Sequence, residues 1–407
     1  MKPWQVAAAG LLSLAVAMGI GRFAFTPLLP MMLAEGALDL SAASWLASAN
    51  YFGYLLGALL CVLQPWLWRR LGSPPAPNPA LLVRAGLAAT ALLTLGMAMQ
   101  LPAAWPALRF AAGVASAFVF IYTSGWCLSR LSQLGQPAMG ALIYTGPGAG
   151  IVLSGLAASA MVALGWSAAS GWALFGALAV VLTALVWRVF DPRQGVLPGA
   201  AAGPSHGGVA ADTVHGSGEV GLFALAYGLA GFGYIVTATF LPVIARGALP
   251  GSAWLDLFWP IFGIGVILGA LGASRISGHR DRRLLLCGCY VVQALGIAAS
   301  LVSPSLAGFA LGSLLLGLPF TALTFFSLQE VRRLRPSQVP STVGLITSVY
   351  GVGQIVGPPL AASLLARRPA AGFSLSLELA AAALALGAAL FLLLARLYPM
   401  PGPAARG

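Results

Sequence analysis

The sequence predicts an all-α, polytopic membrane protein with twelve transmembrane helices in two pseudo-symmetric six-helix bundles. Three observations support this prediction: the composition, the number of long apolar runs and a similarity between the two halves. Of the 407 residues, 59% are hydrophobic and only 7% are charged, whereas a soluble domain carries about 25% charged residues. Since no soluble fold could bury so much apolar surface, lipid must surround most of the chain.

Twelve apolar runs are each long enough to cross a bilayer, which requires about 20 residues. The division between the third and fourth runs depends on Pro102 and Pro106, which break the helical pattern. In chain order the predicted helices are Val6–Leu33, Ala42–Trp66, Ala80–Leu101, Trp105–Leu131, Ala138–Leu164, Ser167–Phe190, Val220–Ala245, Trp254–Ile276, Leu284–Val302, Leu306–Val331, Thr342–Ala366 and Phe373–Leu397.

The basic residues predict the orientation of these helices. If the N-terminus lies inside, most of the 21 lysine and arginine residues fall in inner loops and tails, and only Arg246, Arg367 and Arg368 fall in outer loops. Cytoplasmic loops collect basic residues, so both termini are predicted to be cytoplasmic. The net charge of +12 therefore needs no nucleic-acid partner. Frequent alanine and arginine, with Lys2 the sole lysine, indicate a bacterial inner-membrane protein.

A segment rich in Gly, Pro, Ala and Ser, from Asp191 to Glu219, has no hydrophobic periodicity and is typical of a flexible linker. It divides the chain into an N-terminal six-helix bundle (1–190), a cytoplasmic linker (191–218) and a C-terminal six-helix bundle (219–407). The four cysteines lie in apolar runs without a set of partner ligands, so neither a metal site nor a disulfide is predicted.

The two halves share short similar stretches. "GIGRFAFTPLLP", Gly19–Pro30, aligns with "GFGYIVTATFLP", Gly231–Pro242, with two glycines and a final Leu-Pro in common. "IVLSGLAAS", which begins at Ile151 in the fifth helix, aligns with "IVGPPLAAS", which begins at Ile355 in the eleventh. Matches in corresponding helices are typical of the parallel repeats of secondary transporters.

Several motifs resemble those of the major facilitator superfamily. "RFAAGVASA", beginning at Arg109, resembles the R-x-x-x-G motif of the fourth helix. Thr145–Gly150 partly matches the glycine–proline motif of exporters, and Gly353–Pro358 is a fuller copy. "RISGHRDRR", beginning at Arg275, resembles the gating loop, with Gly278 in place of the usual aspartate. The two aligned stretches above resemble the YbfB/YjiJ-type transporters, whose substrates are largely unassigned. This resemblance implies the major facilitator fold and solute transport without a cofactor.

Two arginines lie within apolar helices, where a charge costs about 2.5 to 3.5 kcal/mol on insertion scales. Arg22 precedes Pro30 by eight residues, so it lies about 12 Å below the outer end of the first helix. Arg109 follows Pro102 by seven residues, about 10 Å below the same face. Because the depths agree, and because the resemblance places both helices beside the central cavity, the two arginines are predicted to converge on one ligand.

The predicted ligand is an anion, since no carboxylate lies near either arginine in the sequence and the arginine fork suits carboxylate or phosphate. Alternatively, either arginine extends to water or caps the carbonyls of a neighbouring helix. Tyr234 and Ser313 stand at the corresponding positions of the second half. The predicted substrate-binding residues are Arg22, Thr26, Arg109, Ser116, Tyr234, Thr237 and Ser313.

Two further sets of residues are predicted to serve the conformational change. The glycine–proline clusters would bend as the bundles rock, although glycines in membrane helices also permit close packing. The basic run after the eighth helix would form a cytoplasmic gate, or simply follow the positive-inside rule. The predicted hinges are Gly146, Pro147, Gly150, Gly353, Gly357 and Pro358, and the predicted gate consists of Arg280, Arg282 and Arg283.

These features favour a monomeric secondary active transporter of a small anionic organic solute that works by alternating access, with a proton or ion as a possible coupling partner. One alternative is an exporter of amphipathic or cationic compounds, which the partial exporter motif favours and the arginines oppose. Others are a transport-inactive sensor or a membrane-embedded transferase, but no acid, base or metal cluster indicates an enzyme. A G-x-x-x-x-G-K-[ST] loop is missing, which argues against ATP-driven transport.

Overall fold

The computed structural model describes residues 1–72, 78–193, 216–252, 254–276, 281–336, 338–368 and 371–399. Within these ranges the chain is helical, and twelve helices are long and apolar enough to cross a membrane, as predicted. They are α1 Pro3–Ala34, α2 Leu40–Arg70, α3 Pro79–Met97, α4 Pro102–Gln133, α5 Pro137–Ala163, α6 Ala168–Trp187, α7 Ser217–Ala248, α8 Leu255–Arg275, α9 Arg282–Val302, α10 Leu306–Leu334, α11 Val339–Arg367 and α12 Gly372–Leu397.

The helices form two six-helix bundles, α1–α6 and α7–α12, with the same internal packing. In the first bundle α2 packs on α4, α3 on α6 and α1 on α5; in the second, α8 packs on α10, α9 on α12 and α7 on α11. The bundles meet through α2 with α11 and through α5 with α8. An even number of spans returns the chain to the side where it began, here named the termini side; the other is the far side. Most of the predicted linker, 194–215, lies outside the described residues.

Glycines explain why α1 and α7 come so close to their partners. A side-chain carbon on Gly19 would overlap the backbone of Gly150 in α5. In the second bundle, a side-chain carbon on Gly231 would overlap the Tyr350 carbonyl in α11. The glycines aligned in the two repeated stretches therefore perform the same packing role in corresponding helix pairs.

The first helix is not regular, although the sequence analysis predicts a continuous α-helix. Residues Ala15–Arg22 are π-helical, and a turn at Phe23–Ala24 separates them from the α-helical segment Phe25–Ala34. At the end of the π-helix, the Phe23 amide donates to the Met18 carbonyl at 3.0 Å. π-Helical segments within α-helices are frequent at functional sites, and this one ends at Arg22.

The predicted hinges differ in backbone structure. α5 is interrupted at Tyr144–Thr145, just before the Gly146–Pro147 pair, whereas α11 continues through its glycine–proline cluster. A side-chain carbon on Gly150 would lie 2.5 Å from the Ala15 carbonyl oxygen. Both clusters therefore allow close packing inside a bundle, and their hinge role stays a prediction. α10 is also interrupted, at Leu318–Pro319, a break that the sequence analysis did not identify.

Candidate functional site

Arg22 lies where the two bundles meet and is only 4% exposed. Its guanidinium carbon lies 4.1 Å from the centre of the Tyr54 ring and 5.2 Å from that of Tyr51, both on α2. Its Nη2 atom donates to Gln354 Oε1 on α11 at 2.9 Å. Aromatic faces attract a cation, so the site stabilises the charge with rings and a neutral amide.

Gln354 connects Arg22 to Tyr234, which is another of the predicted binding residues. Gln354 Nε2 donates to the Tyr234 hydroxyl on α7, so one hydrogen-bonded chain joins α1, α11 and α7. Gln354 is not among the predicted binding residues. The signal in the sequence is a lone amide residue in the Gly353–Pro358 stretch, whose glycine–proline pattern indicates only a hinge.

A row of rings continues from Tyr234 and is named the aromatic column: Tyr227, Tyr350, Tyr234, Phe320 and Phe23. Tyr227 stacks on Tyr350 with centroids 4.8 Å apart, and Tyr350 stacks on Tyr234 at 6.0 Å. Phe320 packs edge-on against Tyr234, with ring centroids 5.3 Å apart, and edge-on against Phe23, with ring centroids 5.8 Å apart. The column extends from the C-terminal bundle to the residue after Arg22, so the buried cation lies beside a continuous aromatic surface.

Arg109 is close to Arg22 but is directed at its backbone. Its Nη1 and Nη2 atoms donate to the carbonyls of Gly21 (3.1 Å) and Arg22 (2.9 Å), at the end of the π-helical segment. Arg109 is 2% exposed, and Asn50 Nδ2 donates to its carbonyl at 2.8 Å. This is the arrangement of the alternative in which an arginine caps a neighbouring helix. Arg109 thus positions α1. Its guanidinium carbon also lies 5.1 Å from the Phe25 ring centre and 5.9 Å from that of Trp172, but both of its terminal nitrogens are used by the carbonyls of α1.

Within the described ranges, the other four predicted binding residues do not share a hydrogen-bond partner with Arg22 or with one another. The Thr26 hydroxyl in α1 donates to the Ala238 carbonyl in α7 at 2.9 Å, so this bond joins the two bundles. Ser116 donates to a carbonyl of α1 at 2.8 Å, and Ser313 donates to a carbonyl of its own helix at 2.7 Å. The buried Thr237 hydroxyl has no hydrogen-bond partner among the described residues. The structure therefore connects Arg22 with Tyr234 but does not gather all seven residues around one point.

The far half of the interface between the bundles is closed. The Tyr51 hydroxyl and Thr239 Oγ1 lie 2.9 Å apart, and Ser48 donates to the Ile355 carbonyl at 2.7 Å. Between α5 and α8, a side-chain carbon on Gly155 would lie 2.6 Å from the Pro260 ring. These contacts separate Arg22 from the far side in this conformation.

A second set of charges, the buried charge cluster, lies at the termini side of the C-terminal bundle and consists of Glu219, Asp281, Arg283, Glu330 and Arg333. Arg283, 1% exposed, forms an ion pair with Asp281 at 2.7 Å and donates to two carbonyls at the end of α12. Arg333 bonds Glu330 at 2.7 Å and Glu219 at 3.0 Å. Four helices, α7, α9, α10 and α12, are thereby joined at one end.

The cluster shows where the predicted gate residues lie. The partners of Arg283 all belong to the C-terminal bundle, and Arg282 donates to Gln329 of α10 at 2.6 Å. Arg280 lies outside the described residues. Arg283 therefore braces one bundle internally. The sequence did not predict this cluster, because Glu219 and Glu330, which are 1% and 0% exposed, are far from Arg283 along the chain.

Two pseudo-symmetric six-helix bundles that meet at a buried polar centre define a membrane transporter of the major facilitator type. The chain belongs to the family described as uncharacterised MFS-type transporter YbfB, whose model matches residues 14–392. This match confirms the predicted superfamily and subfamily, and the protein is a transporter rather than an enzyme.

The fold is also that of a solved transporter. A crystal structure of a mutant of the nucleoside transporter NupG matches with a TM-score of 0.72, over 96% of this chain and 99% of that chain, at 15% sequence identity. The likeness confirms the predicted fold. The comparison with curated protein sequences gave no match.

Proposed function

We propose that the protein transports a small organic anion by secondary active, alternating-access transport, and that the anion binds to Arg22. One observation carries the proposal: the buried Arg22 guanidinium has a neutral amide as its polar side-chain partner. Among the described residues, no carboxylate forms an ion pair with it. An uncompensated buried charge is costly, and an anionic ligand would compensate it.

The contacts of Arg22 support a direct exchange between ligand and protein. Gln354 Oε1 accepts from Nη2 at 2.9 Å, where a ligand oxygen would accept, while the buried Nε atom has no hydrogen-bond partner in the part of the chain that the structure describes. A carboxylate that displaces Gln354 would bind both nitrogens as a fork. Because Arg22 and Gln354 belong to opposite bundles, this exchange removes a link between them. Ligand binding would thus favour a different arrangement of the bundles.

The charge also distinguishes this proposal from export of cationic compounds. A buried guanidinium repels a cationic ligand, and the rings nearest to this site, those of Phe23, Tyr51 and Tyr54, already contact Arg22. An amphipathic cation would therefore have to bind elsewhere.

Transport in proteoliposomes tests the proposal. Vesicles that contain the protein and are preloaded with unlabelled benzoate, lactate or succinate are expected to take up the same labelled acid by counterflow, faster than protein-free vesicles, for at least one acid. Labelled uridine and tetraphenylphosphonium provide the neutral and cationic comparisons. Uptake of either of these together with no anion uptake would overturn the proposal.

Alternating access predicts that a bulky side chain inserted between α5 and α8, here called a wedge, keeps the far half of the interface open. In Gly155→Leu, the new Cβ would lie 2.6 Å from the ring of Pro260 in α8 and 3.1 Å from its backbone nitrogen, so α5 and α8 must separate. Gly272→Leu, in the same helix pair but facing open space, is the matched control. We expect counterflow to fall at least about tenfold in the first variant and to stay near wild type in the second.

The same variant tests the orientation, for which we propose cytoplasmic termini in the inner membrane, because basic residues concentrate on the termini side. With the four native cysteines replaced, a cysteine at the buried Ala238 should react with an impermeant maleimide added to intact cells only when Gly155→Leu is also present. Equal labelling with and without the wedge would contradict alternating access at this interface. Labelling only after the cells are opened would contradict the orientation.

A further inference from the structure

We propose that the transported anion is an aromatic monocarboxylate: a single carboxylate on a flat, unsaturated ring. The inference rests on the proposed function at Arg22 and specifies the substrate class. It combines two features of the site, the number of available cations and the chemistry of the surface beside them.

The site offers one cation. Arg109 is near enough to supply a second, but both of its terminal nitrogens donate to carbonyls of α1, which would lose their partners if it turned toward a ligand. The other buried arginine, Arg283, is paired with carboxylates at the termini side. A dicarboxylate at Arg22 would therefore bury one charge without a counter-ion, which is strongly unfavourable. A monocarboxylate matches the site.

The surface next to this cation is aromatic. A carboxylate that takes the place of the Gln354 amide leaves its substituent where that side chain lay, against Tyr234. Tyr234 is flanked by Tyr350 in a stacked arrangement and by Phe320 edge-on. Rings prefer offset-stacked and edge-to-face neighbours, so a flat ring in the place of the Gln354 side chain would add to the aromatic column at Tyr234, whereas a puckered saturated ring loses these contacts.

Four compounds separate the two features. Benzoate has one charge and an aromatic ring, cyclohexanecarboxylate keeps the charge without the aromaticity, phthalate adds a second carboxylate, and benzamide removes the charge. The measurement is inhibition of labelled-benzoate counterflow, together with the shift in melting temperature of the purified protein. We expect cyclohexanecarboxylate to bind about 2- to 10-fold more weakly than benzoate, as the loss of one aromatic pair implies, and phthalate and benzamide at least about 30-fold more weakly.

Variants of the aromatic column assign the preference to named side chains. Tyr234→Leu should remove the preference for benzoate over cyclohexanecarboxylate while leaving binding dependent on the charge. Phe240→Leu, a buried ring on the same helix that packs on Phe373 outside the column, should keep the preference. If Tyr234→Leu does not fold, Phe320→Leu replaces it.

Each outcome has a definite meaning. Equal affinity for benzoate and cyclohexanecarboxylate would overturn the aromatic preference and leave anion transport intact. Tighter binding of phthalate would overturn the single charge. Absence of binding by all four, while another organic anion is transported, would overturn the substrate class alone. Binding of benzamide without benzoate would overturn the proposed function as well.

Discussion

Arg22→Ala is expected to abolish transport of organic anions, with ligand affinity reduced about 30-fold or more. Truncating one partner of a buried, hydrogen-bonded charge pair costs about 2–5 kcal/mol, which corresponds to that factor at its lower limit. Arg22 is 4% exposed, so a carboxylate bound in the variant would be buried without a counter-ion. Arg22→Lys keeps the charge but loses the fork, and we expect it to retain weak binding with poorer selectivity. Counterflow and ligand-induced melting shifts measure both.

A control must show whether the effect of Arg22→Ala comes from losing this binding group, from losing any arginine, or from misfolding. Arg188→Ala removes an arginine from an exposed position at the end of α6 and should transport normally. Size-exclusion profiles and the melting temperature without ligand show whether Arg22→Ala folds. A folded Arg22→Ala protein that transports an anion at the wild-type rate would mean that Arg22 has only a structural role.

Arg283→Ala is expected to have the largest effect on stability, about 3–5 kcal/mol, because it leaves Arg333 as the one cation of the cluster for the carboxylates of Glu219, Asp281 and Glu330. Glu330, 0% exposed, lies 3.9 Å from Arg283, and Glu219, 1% exposed, lies 3.6 Å from it. The same change removes the bonds to the carbonyls at the end of α12. Melting temperature in detergent and the yield of monodisperse protein measure the loss.

Arg282→Ala is the matched control, since the neighbouring arginine is half-buried and bonds a neutral glutamine. The melting temperature of Arg282→Ala should be close to that of the wild-type protein. Adding Glu330→Gln to Arg283→Ala removes one of the negative charges that Arg333 must then compensate alone, and should restore part of the lost stability. If Arg283→Ala melts like Arg282→Ala, the cluster does not brace the bundle.

The cluster also implies a dependence on pH. Partial burial of Asp281 opposes its ionisation, but hydrogen bonds from Arg283 outweigh this and hold the pKa of the carboxyl below its ordinary value. A lowered pKa in the folded state means that Asp281 contributes stability above its ordinary pKa of about 4. That contribution is lost as the pH falls through the lowered pKa. The wild-type melting temperature should therefore depend on this carboxyl only in acid.

Much of the fold could be predicted because the signals are local. A run of about 20 apolar residues specifies a spanning helix wherever it occurs, and the twelve predicted helices correspond to those of the structure. The repeated glycines at Gly19 and Gly231 were visible because a packing contact that is used twice leaves a repeated pattern. Arg22 was detectable for a similar reason, since a lone charge in an apolar run stands out without knowledge of its partners.

The sequence by itself therefore determined that the chain crosses the membrane twelve times in two related halves and carries a costly buried cation. Only the tertiary structure decided what surrounds that cation. Its partner Gln354 is 332 positions away, and Arg109, which has the same type of side chain at a similar depth, is directed at backbone carbonyls. The physical reason is that hydropathy depends on a residue and its immediate neighbours. A buried hydrogen bond instead depends on which distant groups the packing brings within about 3 Å.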